Sequence, residues 1–188
     1  VFLLSIKWFL MLITNLLTNL MSLPLIPLVS LFVTKDDHLP KWLYWFDTND
    51  CVLSGDIGWQ TESAPYRPAV NAYQRYRNRV GWLTRNRLYG FSRSFLSVTY
   101  DPATDVIVIY GDNGIGNGPG GKSGWCYKKM IRNGRQVVGF KFYYIRQYQR
   151  WPTKCIRILL GWKLPNIGET DNVATMGFSP SPWMHFIA

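Results

Sequence analysis

The sequence predicts an α+β protein in two parts: an N-terminal membrane helix or helical hairpin over residues 1–34, and a basic, aromatic-rich, β-dominated domain over residues 35–188. Three observations predict this. Residues 2–33 form one apolar run whose only charge is Lys7. Between residues 68 and 88 apolar side chains recur at helical spacing. Beyond residue 94 short β-prone stretches alternate with turn residues. The β part is expected as an antiparallel meander or small curved sheet.

The apolar run, FLLSIKWFLMLITNLLTNLMSLPLIPLVSLFV, exceeds the ~20 residues that span a bilayer. Pro24 and Pro27 interrupt it. A proline inside a helix removes a hydrogen bond and ends or kinks it. The expected layout is therefore a spanning helix from Phe2 to Met21 and a bent second piece from Leu23 to Val33, with a re-entrant hairpin as the rival. Phe2, Trp8, Leu12, Leu16, Leu20, Leu25, Leu28 and Phe32 are the expected lipid contacts. Thr14, Asn15, Thr18 and Asn19 make a polar stripe that suits a partner helix, the second limb or the interface. The run is too long for a signal peptide and lacks a small-residue cleavage site; the remaining alternative is a buried core helix of a soluble protein.

After the polar junction 35–40 comes KWLYWF. Trp42, Tyr44, Trp45 and Phe46 read either as an interfacial aromatic belt or as a core strand. Residues 47–66 are turn-rich and read as an ordered loop. Residues 68–88 read as a helix with Val70, Tyr73, Tyr76, Val80 and Leu83 on one face, Pro68 in its first turn and Gly90 as its stop. Residues 95–100 and 106–110 read as a hairpin around Asp101–Thr104. Residues 123–131 and 136–145 read as a second hairpin around Asn133-Gly134, the strongest short turn signal in the chain. Residues 154–163 and 172–178 supply two more strands.

The net charge is +10, unevenly placed. Seven basic residues and no acid lie between Ser63 and Tyr100, and eleven basic residues and no acid between Asn113 and Gly168. Such a field favours anionic partners. Arg75, Arg77, Arg79, Arg85 and Arg87, with tyrosines and Trp82 among them, form a basic-aromatic mix used on anionic membranes and on nucleic acids. Beside a membrane segment, lipid is the more economical partner, and the positive-inside bias puts the domain on the cytoplasmic face. Four acids, Asp47, Asp50, Asp56 and Glu62, precede the Arg-rich helix and are expected to cap turns and pair with it.

Chemistry-bearing motifs are few. Gly116, Gly121, Lys122 and Ser123 match G-x-x-x-x-G-K-[ST], in which backbone amides cradle phosphates. A phosphate loop must open a helix, whereas residues 124–127 read as strand, so a loop between strands is preferred to a nucleotide site. Asp112-Asn113-Gly114 begins like a calcium loop but lacks the later ligands and closing Glu. His38 and His185 have no second ligand or nucleophile nearby. Cys51, Cys126 and Cys155 are too few and too scattered for a disulfide framework or a zinc site. No metal, cofactor or catalytic residue is assigned.

The segments LPKWLYWFDTNDCVLSGDIGWQTE (39–62), YQRYRNRVGWLTRNRLYGF (73–91), LGWKLP (160–165) and FSPSPWMHF (178–186) together resemble a family of small tailed-bacteriophage proteins known as a domain of unknown function. Trp is rare, which makes these segments specific. Asn49-Asp50-Cys51 departs from the P-D-N turn of that pattern. The resemblance implies a phage origin and association with the host inner membrane. It implies no activity and carries over no catalytic residue. The expected role is a non-enzymatic membrane-anchored accessory protein touching lipid or a host or phage membrane protein. The alternatives are a virion component inserted into the envelope during genome delivery, and a membrane-tethered nucleotide-binding enzyme using the 116–123 loop.

Overall fold

The computed structural model describes residues 2–48, 50–62, 66–165 and 172–187. The fold is α+β, with an apolar N-terminal helix and antiparallel sheets. Contacts divide the chain into two compact units, one of residues 1–12 with 97–188 and the other of residues 13–96. This division differs from the boundary expected after residue 34. Hydropathy marks where a segment prefers lipid, whereas contacts also follow which side chains of that segment touch the rest of the chain.

Helix α1 (Phe2–Ser22) contributes its first half to the β unit and its second half to the helical unit. It stops two residues before Pro24, and α2 (Ile26–Val29) restarts with Pro27 in its first turn. The proline break therefore falls where the sequence places it.

In the helical unit KWLYWF forms a 3-10 helix (Lys41–Phe46) in place of the core strand, one of its two readings. A short α3 (Ile57–Glu62) lies within the expected loop, started by Asp56, whose Oδ1 accepts from the Trp59 amide at 2.6 Å. Asn49, Pro65 and the side chain of Glu62 lie outside the described residues. The expected helix 68–88 is shorter: α4 runs Ala72–Arg85. Asn71 supplies the start, its side chain accepting from the Gln74 amide at 2.9 Å, while Gln74 accepts from the Val70 amide at 2.8 Å. This reciprocal cap fixes the first turn beyond Pro68. Val70 and Tyr73 are exposed, against expectation; Asn78, Trp82 and Leu83 make the buried stripe. The Trp82 indole is the larger body to bury, and it meets Trp59 edge-on at 5.9 Å and donates to Thr48 Oγ1 at 2.9 Å. Gly90 is not a stop but lies inside α5 (Tyr89–Phe95). A Cβ there would sit 2.1 Å from the Tyr44 carbonyl oxygen, so only glycine lets α5 approach the 3-10 helix.

In the β unit the five-stranded sheet has the order β2-β3-β4-β5-β7, each neighbour antiparallel. The strands are β2 (Asp105–Gly111), β3 (Gly124–Arg132), β4 (Gln136–Gln147), β5 (Lys154–Trp162) and β7 (Met176–His185). The meander is open, with β2 and β7 at its edges. The β3–β4 turn at Asn133-Gly134 forms as expected, both residues at positive φ. The expected hairpin of 95–100 with 106–110 does not form. Phe95 ends α5, and β1 (Val98–Thr99) instead pairs with β6 (Val173–Ala174) in a small second sheet. β7 continues past Phe178 through Pro180 and Pro182. An edge strand tolerates prolines because one side of its backbone needs no ladder partner.

Asp105 fastens one end of this sheet. Its side chain is fully buried and takes Arg132 Nε and Nη2 at 2.8 Å each, while Arg132 Nη2 also reaches the Thr99 carbonyl. The Arg132 hydrogen bonds hold the Asp105 carboxyl below its ordinary 3.8, outweighing the burial that opposes them. A folded value below the unfolded one means the pair stabilises the fold fully above pH ~3.8, and that contribution is lost as pH falls through the folded value. Asp105→Asn is expected to cost about 2–3 kcal/mol near neutral pH, discounted because Arg132 is partly solvated. Urea titrations across pH 2–7 check it: the variant's stability should rise less steeply over the acid limb than the parent's.

Candidate membrane interface

Helix α1 has 21 residues, which at ~1.5 Å each gives about 32 Å, the thickness of a hydrocarbon core. It is long and apolar enough to cross a membrane, and 6% of its most apolar 18-residue stretch is buried. Its sidedness is the informative feature. Phe2, Leu3, Ile6, Phe9, Leu10, Ile13, Leu16, Leu17, Leu20 and Met21 are exposed. The inward stripe is Leu4, Trp8, Met11, Leu12, Asn15, Thr18, Asn19 and Ser22, at helical spacing. From Asn15 onward the protein-facing side is the polar one. Thr18 and Ser22 return their hydroxyls to carbonyls one turn back, at 2.9 and 2.8 Å. A water-facing helix shows the reverse arrangement.

Of the expected lipid contacts, Phe2, Leu16, Leu20, Leu25, Leu28 and Phe32 are exposed. Trp8 and Leu12 are not; both are buried. The Trp8 indole donates to the Gly161 carbonyl at 3.2 Å and meets Phe140 at 5.7 Å and Phe178 at 6.4 Å. The sheet offers an aromatic platform and an accepting carbonyl, and a buried Trp needs both. No local signal in the N-terminal run reveals this, because its partners lie over 130 residues away.

In the helical unit Trp42, Tyr44 and Trp45 are exposed, as an interfacial belt requires. Phe32 meets Trp42 edge-on at 5.2 Å. Trp45 also stacks on Phe95 at 5.1 Å, and Phe46 turns inward against the core of this unit. Only the first three are thus exposed.

The basic side chains sort differently from the sequence expectation. Arg75, Arg77, Arg85 and Arg87 are exposed on α4 and just beyond it. Arg79 is engaged by Asp37, whose Oδ1 lies 2.9 Å from its Nη2. Asp37 Oδ2 also accepts from the Ser54 amide and hydroxyl, at 2.8 and 2.6 Å. This junction residue ties three segments together, and no sequence signal marks it because its partners are remote. Among the described residues, Asp47 meets His38 at 3.3 Å, Asp50 accepts from Tyr89 at 2.9 Å, and Asp56 caps α3. Of the expected roles Asp56 fills a cap, while Asp47 and Asp50 meet His38 and Tyr89 rather than the arginines of α4. Burial, then Asp50, push the Tyr89 phenol up to about 12, so it remains the donor. Arg85 lies over the rings of Trp59 and Trp82 at 5.9 and 5.7 Å.

The glycine loop leads into β3, not into a helix. Gly116 and Lys122 form an isolated bridge, the Gly121 amide donates to the Ile187 carbonyl at 2.9 Å, and Ser123 Oγ accepts from the Gln147 amide at 2.9 Å. These backbone groups and the Ser123 hydroxyl take part in the fold, and the loop does not open a helix as a phosphate loop does. Asp112 closes an Asx turn onto the Gly114 amide at 2.8 Å. Cys126 and Cys155 are buried and Cys51 half-buried, all as thiols; burial pushes Cys51 and Cys155 up.

Fold and surface together define an α+β protein whose leading helix shows its apolar side outward. The chain belongs to DUF7338, a family of unknown function, whose model matches residues 1–186. Comparison with curated proteins and with solved structures finds no match.

Proposed function

We propose that this chain is a non-enzymatic, membrane-anchored accessory protein of a tailed bacteriophage, with α1 in the host inner membrane and the basic domain on its cytoplasmic side against anionic lipid or a membrane protein. The observation that carries this reading is the outward row of large apolar side chains along α1, joined from Asn15 onward by a reversed sidedness: leucines outward, Asn15, Thr18, Asn19 and Ser22 inward. Ten large apolar side chains on one helix stay in water only at a cost that lipid removes, at ~25 cal/mol per Å² of apolar surface. Exposed Leu25, Leu28, Leu31 and Phe32 extend the same character beyond the proline break. Exposed Arg75, Arg77, Arg85 and Arg87 suit phosphate headgroups. The phage assignment rests on the Trp- and Gly-rich segments quoted above.

Fractionation of cells producing the full-length chain tests the anchor. The protein should remain with membranes through a high-salt and alkaline-carbonate wash and be released by neutral detergent. Release by salt alone would reduce α1 to a peripheral contact, and recovery in the soluble fraction without detergent would end the reading.

A further inference from the structure

Arg157 on β5 has no carboxylate partner among the described residues. It is half-buried, on the sheet face shared with Ile145 of β4 and Ser181 of β7. Its Nη2 donates to Ser179 Oγ at 3.1 Å, its Nη1 stands 3.5 Å from Asn117 Oδ1, and its Nε is buried with no acceptor. Every one of these partners is neutral. A guanidinium withdrawn from water needs a counter-charge and acceptors for its fork of donors, and among the described residues it has neither a carboxylate nor a full set of acceptors.

Arg157 borders a concavity of about 540 Å³, also lined by Lys141, Tyr143, Lys163 and Ser179, with no acidic side chain among the described lining residues. Tyr143 donates to Asn117 Oδ1 at 3.4 Å. Asn117 is held there by the glycine loop: its amide side chain donates to the His185 carbonyl at 3.0 Å, and its own carbonyl accepts from the Ile187 amide at 3.1 Å. The Gly-rich segment thus docks on the C-terminal end of β7 and brings a polar side chain over the arginine. This gives the loop a task that the membrane reading leaves unassigned.

We propose that this concavity binds a phosphate-bearing anion, with Arg157 as its principal ligand, Lys141 and Lys163 supplying charge, and the Ser179 and Tyr143 hydroxyls completing the polar rim. A phosphate group offers several oxygens to one forked guanidinium and tolerates ammonium groups as point charges. The volume exceeds a bare ion and suits a phosphate ester. Such a group comes either from a phospholipid headgroup or from a soluble phosphate. The site does not depend on how α1 meets lipid, so its failure leaves the anchor untouched.

The test uses the full chain in neutral detergent at constant ionic strength, following thermal unfolding against inorganic phosphate and, separately, dihexanoyl-phosphatidylglycerol. A saturable rise in Tm with both supports recognition of phosphate itself; a rise with the phospholipid alone supports a headgroup site. Arg157→Gln should weaken the apparent affinity about tenfold or more, and Arg157→Lys by less, because the fork is lost but the charge kept. Arg135→Gln, an exposed turn residue, should leave it unchanged. Should Arg157→Gln not fold, Lys163→Gln at an exposed position serves, with a loss of about threefold expected. No rise with either compound in the parent protein, or a rise that the folded variants leave intact, overturns the site.

Discussion

Leu16→Asp combined with Leu20→Asp is expected to move the full-length chain from the membrane to the soluble fraction. Both leucines lie on the outward side of α1, 50% and 64% exposed, so neither belongs to the buried core. In lipid a carboxylate at the centre of a spanning helix costs about 3 kcal/mol relative to leucine; Leu16 and Leu20 lie in the last two turns of α1, so the pair costs less than twice that and still weakens insertion strongly. In water the same pair costs only helix propensity, a few tenths of a kcal/mol each. The two environments therefore predict opposite results from one measurement, carbonate-washed membrane recovery with circular dichroism as the folding control. Leu16→Ala with Leu20→Ala keeps the apolar character and should stay with the membranes. If the aspartate pair fractionates like the parent, α1 does not sit among acyl chains.

Gly161→Ala should destabilise the β unit by about 3–4 kcal/mol, the sum of left-handed strain and a forced displacement of backbone. Gly161 lies in β5 between Lys141 of β4 and Gly177 of β7, at φ +106°. A Cβ there would sit 2.2 Å from the Phe140 carbonyl oxygen and 2.9 Å from its ring. The Gly161 carbonyl also receives the Trp8 indole, so moving this backbone disturbs the seat of α1 within the same unit. Urea unfolding in neutral detergent, followed by near-ultraviolet circular dichroism, reads both effects. A loss under ~1 kcal/mol with an unchanged aromatic signal would show that β5 relaxes around the methyl group.

The parts of the fold legible in the sequence are those set by local chemistry. Asn133-Gly134 fixes a turn through positive φ, which few residue types tolerate, and the β3–β4 pairing follows from it. Pro24 and Pro27 fix the end of α1 and the start of α2. Residues 95–100 show the opposite case. Their β-prone composition is real, but Val98 and Thr99 pair with residues 173–174, more than seventy positions away, and no short-range turn encodes that choice. The Arg-rich helix is legible as a helix, yet its buried side follows the two tryptophans that meet in the core rather than the Val70–Tyr73 pattern. Arg79 likewise looks no different from its neighbours in sequence; only the position of Asp37 removes it from the exposed set.

Composition and order of residues determined by themselves that the chain begins with a membrane-length apolar run, that its charge is positive and clustered, and that antiparallel strands follow. These depend on transfer free energies and turn chemistry, which act on a few adjacent residues. Tertiary structure alone decided which side of α1 faces outward, that Trp8 and Leu12 turn inward, and that Arg157 meets only neutral partners among the described residues. Each of these depends on groups brought close by folding across long stretches of chain, and no window of sequence contains both halves of such a contact.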